Sequence, residues 1–284
     1  MNPPTCFTES MFKAFSQAVE ACLKRLVPNK PRGPHHDRFA LFWILLLRYM
    51  LCFSSEKHLL RILKEMPWFA RSLGLTRVPA QSVLTDFRSK IGSNGFQKIF
   101  KSLVSHFVES GGIVAADSSF FKAFANKYRK RKSDKDAAWY KRKSKTLFGF
   151  KLHLLIDAES EIPLAFCVTP ANVHDSQIFR KLIARVKAEI ALADTAYDSK
   201  ENRDAALSSG TLPIFPHNKR RSKRRRKLNP LEQIVYNLRV SIERTFSRLK
   251  FQHALDALKM RGLEKASIHA ALSVIALLVK KVIK

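Results

Sequence analysis

The spacing of apolar residues changes at Glu109-Ser110-Gly111-Gly112, and this change limits the folds that the chain can adopt. Before it, apolar residues recur at helical intervals, and the fifteen-residue run from Phe39 to Phe53 is apolar on nearly all sides, which predicts a buried helix. After it, short apolar runs and the alternating stretch from Thr146 to Ile156 are typical of β-strands. We therefore predict an all-α domain over residues 1–110, followed by an α/β domain over residues 111–284.

One segment of the N-terminal domain has the pattern of a helix-turn-helix. The residues from Gly74 to Pro79 predict a turn between two helices. The side chains that would then face a DNA groove are those of Gln81, Ser82, Thr85 and Arg88. A plain helical bundle explains the same pattern, so both interpretations stay open.

Two aspartates follow short apolar runs in the predicted α/β domain. Ile113 to Ala116 predicts a buried strand that ends at Asp117, and Ile190 to Ala193 predicts another that ends at Asp194. If the two strands are parallel neighbours, both carboxylates lie at the same edge of the sheet, where α/β sheets bind ligands. Either aspartate alone is also explained as an ordinary turn or capping residue.

The stretch from Leu231 to Lys250 predicts a single amphipathic helix, because it follows Asn229-Pro230 and contains no Gly or Pro. One face, predicted to pack on a core, consists of Ile234, Leu238, Ile242, Thr245 and Leu249. A second face, within roughly 60° at about 100° per residue, presents Tyr236, Arg239, Glu243 and Lys250. The plain alternative is a solvated helix face with an Arg239–Glu243 pair.

The second face has the spacing Y-(2)-R-(3)-E-(6)-K, and in this respect the chain resembles insertion-sequence transposases of the DDE class, in the family-four and family-five superfamily. The segment from Ala193 to Ser199, ADTAYDS, is similar to the second-aspartate motif of that family. The order of predicted strands and helices likewise resembles the ribonuclease-H-like fold, a mixed sheet flanked by helices.

The resemblance implies a catalytic site and a cofactor. Its catalytic residues and metal ligands would be Asp117, Asp194 and Glu243, holding two Mg²⁺ ions for which Mn²⁺ can substitute. Tyr236, Arg239 and Lys250 would contact DNA. Further conceivable ligands, for which we expect structural roles, are His153, Asp157, His174, Asp175 and Asp198, with Asp175 and Asp198 expected as helix caps.

The charge of the chain indicates a polyanionic partner. Its formal net charge is +29 and its pI is near 10.4, which makes nucleic acid the first candidate. Residues 127–145 interleave cations with Tyr128, Trp139 and Tyr140, a composition suited to DNA phosphates and an unstacked base. Residues 217–227 include the nine positions from 219 to 227, of which eight are cations: Lys219, Arg220, Arg221, Lys223, Arg224, Arg225, Arg226 and Lys227. We predict that both segments bind DNA, the alternative being a solubilising or nucleoid-binding arm.

The implied function is a Mg-dependent DNA transposase that cleaves and strand-transfers the ends of its own insertion sequence. Its partners would be double-stranded DNA, as terminal inverted repeats and target DNA, and further copies of itself in a homodimer or higher oligomer. Two alternatives stay open: a catalytically inactive DNA-binding protein or repressor derived from a transposase, and a metal-dependent nuclease of the same fold.

Other features indicate where such a chain acts. The four cysteines show no CxxC spacing, and the N-terminus lacks the pattern of a secretory signal. The apolar run from Phe39 to Phe53 is too short to span a bilayer and contains Arg48. We therefore expect a cytoplasmic, nucleoid-associated prokaryotic protein with no membrane partner.

Overall fold

The computed structural model describes residues 9–27, 36–108, 112–125, 134–142, 144–217 and 227–282. The chain divides into two compact units. One comprises Met1–Val108, Leu249–Lys259 and Ser267–Lys284, and the other comprises Glu109–Arg248 and Met260–Ala266. A boundary therefore falls near residue 110, but two C-terminal segments are grouped with the N-terminal helices. The division into functional modules of residues 1–110 and 111–284 stays a prediction.

The first unit is built from helices. They are α1 (Glu9–Leu26), α2 (Arg38–Met50), α3 (Glu56–Glu65), α4 (Pro67–Ser72), α5 (Gln81–Phe107) and most of α10 (Leu263–Val282). The described residues before Val108 contain no strand. As predicted, α2 is a buried helix, and its Tyr49 hydroxyl forms a 2.8 Å hydrogen bond with Nδ1 of His269 on α10. Within the described part of the chain, no helix combines the length and apolarity needed to cross a membrane.

The segment proposed to read DNA differs from the prediction at one position. Gln81, Ser82 and Thr85 are exposed, whereas the side chain of Arg88 is buried and forms an ion pair with Glu56, which is also buried. Because a buried charge must keep its partner, Arg88 is not free to contact a DNA groove. Helix α5 is interrupted at Gly92, whose φ of 65° is one that glycine adopts readily.

The second unit contains a six-stranded mixed sheet, and the predicted mixed sheet flanked by helices is confirmed. The strands are β1 (Ile113–Lys122), β2 (Ala138–Arg142), β3 (Lys145–Asp157), β4 (Pro163–Pro170), β5 (Ile190–Ala193) and β6 (Leu212–Ile214). Central β1 pairs antiparallel with β3 and parallel with β5, and β6 pairs parallel with β5. Both β2 and β4 pair with the other edge of β3.

The α-helices that the structure describes between β4 and residue 251 are α6 (Ser176–Ile183), α7 (Lys200–Ser208), α8 (Pro230–Tyr236) and α9 (Val240–Phe251). Helix α6 contacts β3 and β4, and α7 contacts β6. Strand β3 is buried along nearly its whole length because both of its faces and both of its edges are covered.

Two strands differ from the prediction. The first strand does not end at Asp117 but continues to Lys122, because β3 still pairs with β1 beyond the point where β5 ends. Strand β2 lies in the stretch that the sequence presents as basic and polar, and alternation over its five residues is too short to be recognised there.

The predicted helix from Leu231 to Lys250 is interrupted by a 3₁₀ turn at Asn237–Arg239, between α8 and α9. Its predicted start is correct, because Asn229 caps α8 reciprocally with Glu232. On the predicted core face, Ile242, Thr245 and Leu249 are buried, but Ile234 is 66% exposed and Leu238 is also exposed. Periodicity identifies one face of a helix but not which of its turns have a partner to pack on.

Candidate active site

Asp117 and Asp194 lie at matching positions on neighbouring parallel strands. The last paired residues of β1 and β5 are Ala116 and Ala193, and the two aspartates come directly after them. Asp117 accepts a 2.7 Å hydrogen bond from the Ser118 amide, and Asp194 accepts one of 2.5 Å from the Thr195 amide. The backbones of the two aspartates therefore leave their strands side by side, where adjacent strands are roughly 4.8 Å apart, and the Asp194 carboxylate acts electrostatically on Asp117.

The 3₁₀ turn and α9 bring a cation and a third carboxylate to the same place. The guanidinium of Arg239 lies 3.6 Å from Oδ2 of Asp117 and donates a 2.7 Å hydrogen bond to Oε1 of Glu243. It also lies 5.8 Å from the centre of the Tyr236 ring. The pair with Glu243 contributes only about 0.3–0.5 kcal/mol to stability. Its main effect is on the local charge around Asp117 and Glu243.

Negative charge accumulates around Asp117. Burial, together with the carboxylates of Asp175 and Asp194, raises the pKa of Asp117 to about 6, against the opposing effects of the Ser118 amide and of Arg239. Burial and the same group of carboxylates raise the pKa of the Tyr197 hydroxyl well above its ordinary value. Although burial alone would lower the pKa of Arg239, Tyr236 and the surrounding carboxylates raise it. The site thus carries more negative charge than one arginine offsets.

A buried polar cluster lies next to this acidic group. Nζ of Lys151, on β3, donates to Oδ1 of Asp175 at 2.9 Å and to the Val173 carbonyl at 3.0 Å. Nε2 of His153 forms a 2.8 Å hydrogen bond with Oγ1 of Thr169, and burial is the main cause of its pKa being lowered to about 4. The histidine is therefore neutral at pH 7, and Lys151 is the cation that balances Asp175.

Asp175 and Asp198 do not cap helices as predicted. The carboxylate of Asp175 pairs with Lys151, and no side-chain cap hydrogen bond is present at the start of α6. Asp198 pairs with Arg203 at 2.8 Å and lies 3.5 Å from His217, while Ser199 caps α7. Each of the two carboxylates instead forms a charge-assisted hydrogen bond with a cation.

The donor set fits a hard divalent cation in its chemistry. Carboxylate oxygens are the ligands that Mg²⁺ prefers, and the raised pKa of Asp117 reflects charge that a dication would offset. In the described ranges, no three His, Cys, Asp or Glu side chains are close enough together to hold a metal ion as they stand. At present Arg239 balances part of the charge of Asp117 and Glu243.

Much of the chain matches a known protein family. A family model described as a transposase DDE domain matches residues 109–279, which is more than half of the chain. The chain belongs to this family. It is a DNA transposase, and the DDE domain makes it an enzyme that cleaves DNA and transfers strands. Transposases of this family generally use divalent metal ions.

Solved structures of other transposases are also similar to it. A piggyBac transposase synaptic complex with hairpin DNA matches with a TM-score of 0.48 and 11% identity, over 97% of this chain and 73% of that one. A Mos1 transposase paired-end complex with left transposon end matches with a TM-score of 0.24 and 14% identity, over 90% and 89% of the two chains. A pre-cleavage Mos1 transpososome matches with a TM-score of 0.24 and 13% identity, over 83% and 84%.

The structure brings together five of the predicted site residues of the transposase. Asp117, Asp194, Glu243, Arg239 and Tyr236 are linked by the contacts and electrostatic effects described above. Lys250 is half-buried on α9, two turns beyond Glu243. Lys227 is exposed, and the other seven cations of the second basic segment lie outside the described residues. Their roles stay predictions.

The first basic segment of the transposase is described only in part. Tyr128 lies outside the described residues. The ring of Tyr140 stacks on Phe120 at 6.2 Å between centroids, and Nζ of Lys151 lies 4.5 Å from its centre. Trp139 packs against Phe148 but stays 41% exposed. Of these aromatic residues, Trp139 is thus the one that the described structure leaves accessible to a base.

The Lys151–Asp175 pair adjoins the acidic site of the transposase and is not predicted from the sequence. A lysine at an inward-facing position of a buried strand was the available signal, because a buried ammonium needs a carboxylate partner. The identity of that partner depends on how β3, β4 and α6 pack together, which the local sequence does not indicate.

Proposed function

We propose that this transposase cleaves the ends of its own insertion sequence and joins them to target DNA, with Asp117, Asp194 and Glu243 as catalytic metal ligands. The observation that carries the proposal is the matched position of Asp117 and Asp194 on parallel strands, together with the Arg239 guanidinium shared by Asp117 and Glu243. The strand order from β4 through β3, β1 and β5 to β6 supports assignment to the ribonuclease-H-like fold.

The cofactor that we propose is a pair of Mg²⁺ ions, with Mn²⁺ able to substitute. When bound, two such ions activate the attacking oxygen and stabilise the leaving oxygen of a phosphodiester. The three carboxylates would bind them, and of the three Asp117 is partly buried whereas Asp194 and Glu243 are exposed. Neutralising the repulsion among these carboxylates also favours their ionised, ligating forms.

The cationic and aromatic residues of the site would bind and orient the DNA strand. Arg239 can offer a phosphate the guanidinium that now pairs with Glu243, and Tyr236 lies beside it with its hydroxyl protonated at pH 7, because burial raises its pKa. Lys250 and the basic segments would extend the contact along the phosphate backbone. Trp139, exposed on β2, is the proposed platform for an unstacked base.

The proposed partners follow from this chemistry. Terminal inverted repeats would be bound first, and target DNA would be bound when the cleaved 3′-OH attacks it. A homodimer or higher oligomer would hold both ends of the element at once. The place of action would be the nucleoid of a prokaryotic cell.

The test is a reaction with the purified chain, DNA that carries the ends of the element, a target plasmid and Mg²⁺. We expect free 3′-OH groups at the element ends and products in which those ends are joined to the plasmid. Cleavage without joining would support a nuclease instead, and binding without either product would support an inactive DNA-binding protein. DNA with scrambled ends provides the matched control.

A further inference from the structure

Glu161 is a buried carboxylate in an unusual place, the turn between β3 and β4. It is 6% exposed, although turn residues are ordinarily open to water. Its backbone has a φ of 59°, a left-handed conformation that side chains other than glycine adopt at a cost. A residue that is both strained and buried at a turn indicates that its side chain has a specific task.

Two arginines of α9 bind this carboxylate. Nε of Arg244 donates to Oε1 at 2.6 Å, and Nη1 of Arg248 donates to Oε2. Because the two arginines are four residues apart, they lie one above the other on the same side of the helix. Both oxygens of one carboxylate are thus bound by successive turns of the helix that carries Glu243.

The turn that presents Glu161 is itself held firmly. The amide of Glu161 donates to the Asp157 carbonyl at 3.0 Å, and the Asp157 amide donates to the Ile162 carbonyl at 2.9 Å. The amide and hydroxyl of Ser160 both donate to Oδ1 of Asp157, at 2.7 and 2.6 Å. The Ala158 amide donates to the carbonyl of Ile113, the first residue of β1, at 2.8 Å. The carboxylate is therefore fixed relative to the start of β1.

These contacts attach one helical segment to β1 at two points. Arg239 pairs with Asp117 at one end, and Arg248 pairs at the other end with a turn bonded to Ile113. The helical path from Arg239 to Arg248 is about 14 Å at 1.5 Å per residue, and the strand from Asp117 to Ile113 is about 13 Å at 3.3 Å per residue. The two spans match, so both attachments can hold at once.

We infer that Glu161 is a positioning residue, which fixes the rotation and axial position of α9 so that Glu243 keeps its contact with Arg239 next to Asp117. The inference rests on the proposed function, because the position of Glu243 matters for the rate only if Glu243 is catalytic. The exposed contact between Arg239 and Glu243 is too weak to fix the helix alone. A displacement of about 1 Å in such a site can reduce a rate about 100-fold.

The experiment compares variants by single-turnover cleavage of end DNA at saturating DNA, alongside DNA affinity and Tm. The variants are Glu161→Gln, Glu161→Gly and the double variant Arg244→Gln/Arg248→Gln. Glu161→Gly removes the carboxylate while relieving the strained backbone, so it separates loss of positioning from loss of stability. Glu56→Gln is the matched control, because Glu56 is a similarly buried carboxylate that pairs with an arginine, Arg88, in the other unit. Glu243→Gln is measured in parallel.

We call Glu161 with Arg244 and Arg248 the clamp, and the three variants that change it the clamp variants. We expect each clamp variant to cleave at least tenfold more slowly, with its DNA affinity unchanged within twofold. Glu56→Gln should lose stability but cleave normally below its Tm. Hydrogen exchange in the first half of α9 should accelerate in the clamp variants only. Combining Glu161→Gln with the double arginine variant should slow cleavage no further than the slower parent. Wild-type rates in the clamp variants, with Glu243→Gln inactive, would overturn the positioning role alone. Wild-type cleavage by Glu243→Gln would instead overturn the proposed function.

Discussion

At the scale of single residues, the site is defined by where charge is left unbalanced. Asp117 lies among carboxylates and is mostly buried, and the guanidinium of Arg239 is 3.6 Å from its Oδ2. Its pKa of about 6, against an ordinary value of 3.8, means that its ionised form is unfavourable in the folded protein. A structural ion pair would shift the pKa the other way, so this residue is suited to receive a cation from outside the chain.

The raised pKa of Asp117 predicts a pH-dependent loss of stability in metal-free buffer. The stabilising contribution of protonated Asp117 is fully present below pH 3.8 and is lost as the pH rises through about 6. The two-unit difference corresponds to up to about 3 kcal/mol. Asp117→Asn should therefore match the wild type at pH 4 and be the more stable protein at pH 7.5, measured by Tm with a chelator.

Asp204→Asn, which changes an exposed carboxylate on α7, is the control for that comparison. Its Tm should follow the wild-type pH profile. If Asp117→Asn is equally or less stable than the wild type at pH 7.5, Asp117 does not carry the unbalanced charge.

At the scale of elements, the local sequence predicted the helices and strands whose apolar pattern is long or strongly periodic. The buried helix α2, the strand β3 and the short strand β5 all lie where apolar spacing indicated them. Asp194 and Glu243 could be predicted because each belongs to a motif with fixed spacing. Local pattern could not predict the extension of β1 past Asp117, the strand β2 or the 3₁₀ turn, since each depends on pairing or packing with distant residues.

Close approach of β1 and β3 at Gly149, which pairs with Lys122 at the end of β1, gives a prediction for this position. A Cβ at this position would lie 2.3 Å from the Phe121 carbonyl oxygen and 2.9 Å from the Ala123 amide nitrogen. Since backbone atoms cannot yield as side chains do, Gly149→Ala should destabilise the protein by about 2–3 kcal/mol. Chemical denaturation measures this, with Thr146→Ala, at an exposed position of β3, as a control expected to stay within about 0.5 kcal/mol. An unchanged midpoint for Gly149→Ala would contradict the close pairing of these strands.

At the scale of the whole molecule, the order of the chain does not match the order of its compact units. Arg48 donates a hydrogen bond to the Ala257 carbonyl at 3.2 Å, and the Tyr49 hydroxyl forms a hydrogen bond with His269. C-terminal residues therefore complete the core of the N-terminal helices. Contacts across some 200 residues leave no trace in local periodicity, which explains why the sequence predicted a simple boundary. The charge of +29, by contrast, is a property of composition and could be recognised directly.

The dense basic segment predicts how strongly salt weakens DNA binding. Replacing Arg220, Arg221, Arg224 and Arg225 with Gln should weaken binding to all sequences alike, since phosphate contacts carry no sequence information. The slope of log affinity against log salt should flatten by roughly two to four units, at about 0.9 per phosphate neutralised. Filter binding or fluorescence anisotropy across salt concentrations measures this. A slope equal to that of the wild type would show that this segment does not contact DNA.

The most direct measurement of the central claim is the single-turnover cleavage rate of Asp117→Asn, Asp194→Asn and Glu243→Gln at saturating end DNA with Mg²⁺. Each substitution keeps the size of the side chain and removes one ligand charge. If the three carboxylates form one catalytic site, each variant should lose at least about 1,000-fold in rate, equivalent to about 4 kcal/mol of transition-state stabilisation, while its DNA affinity stays within about threefold. Near wild-type cleavage by any two of the three variants would contradict the assignment of the site.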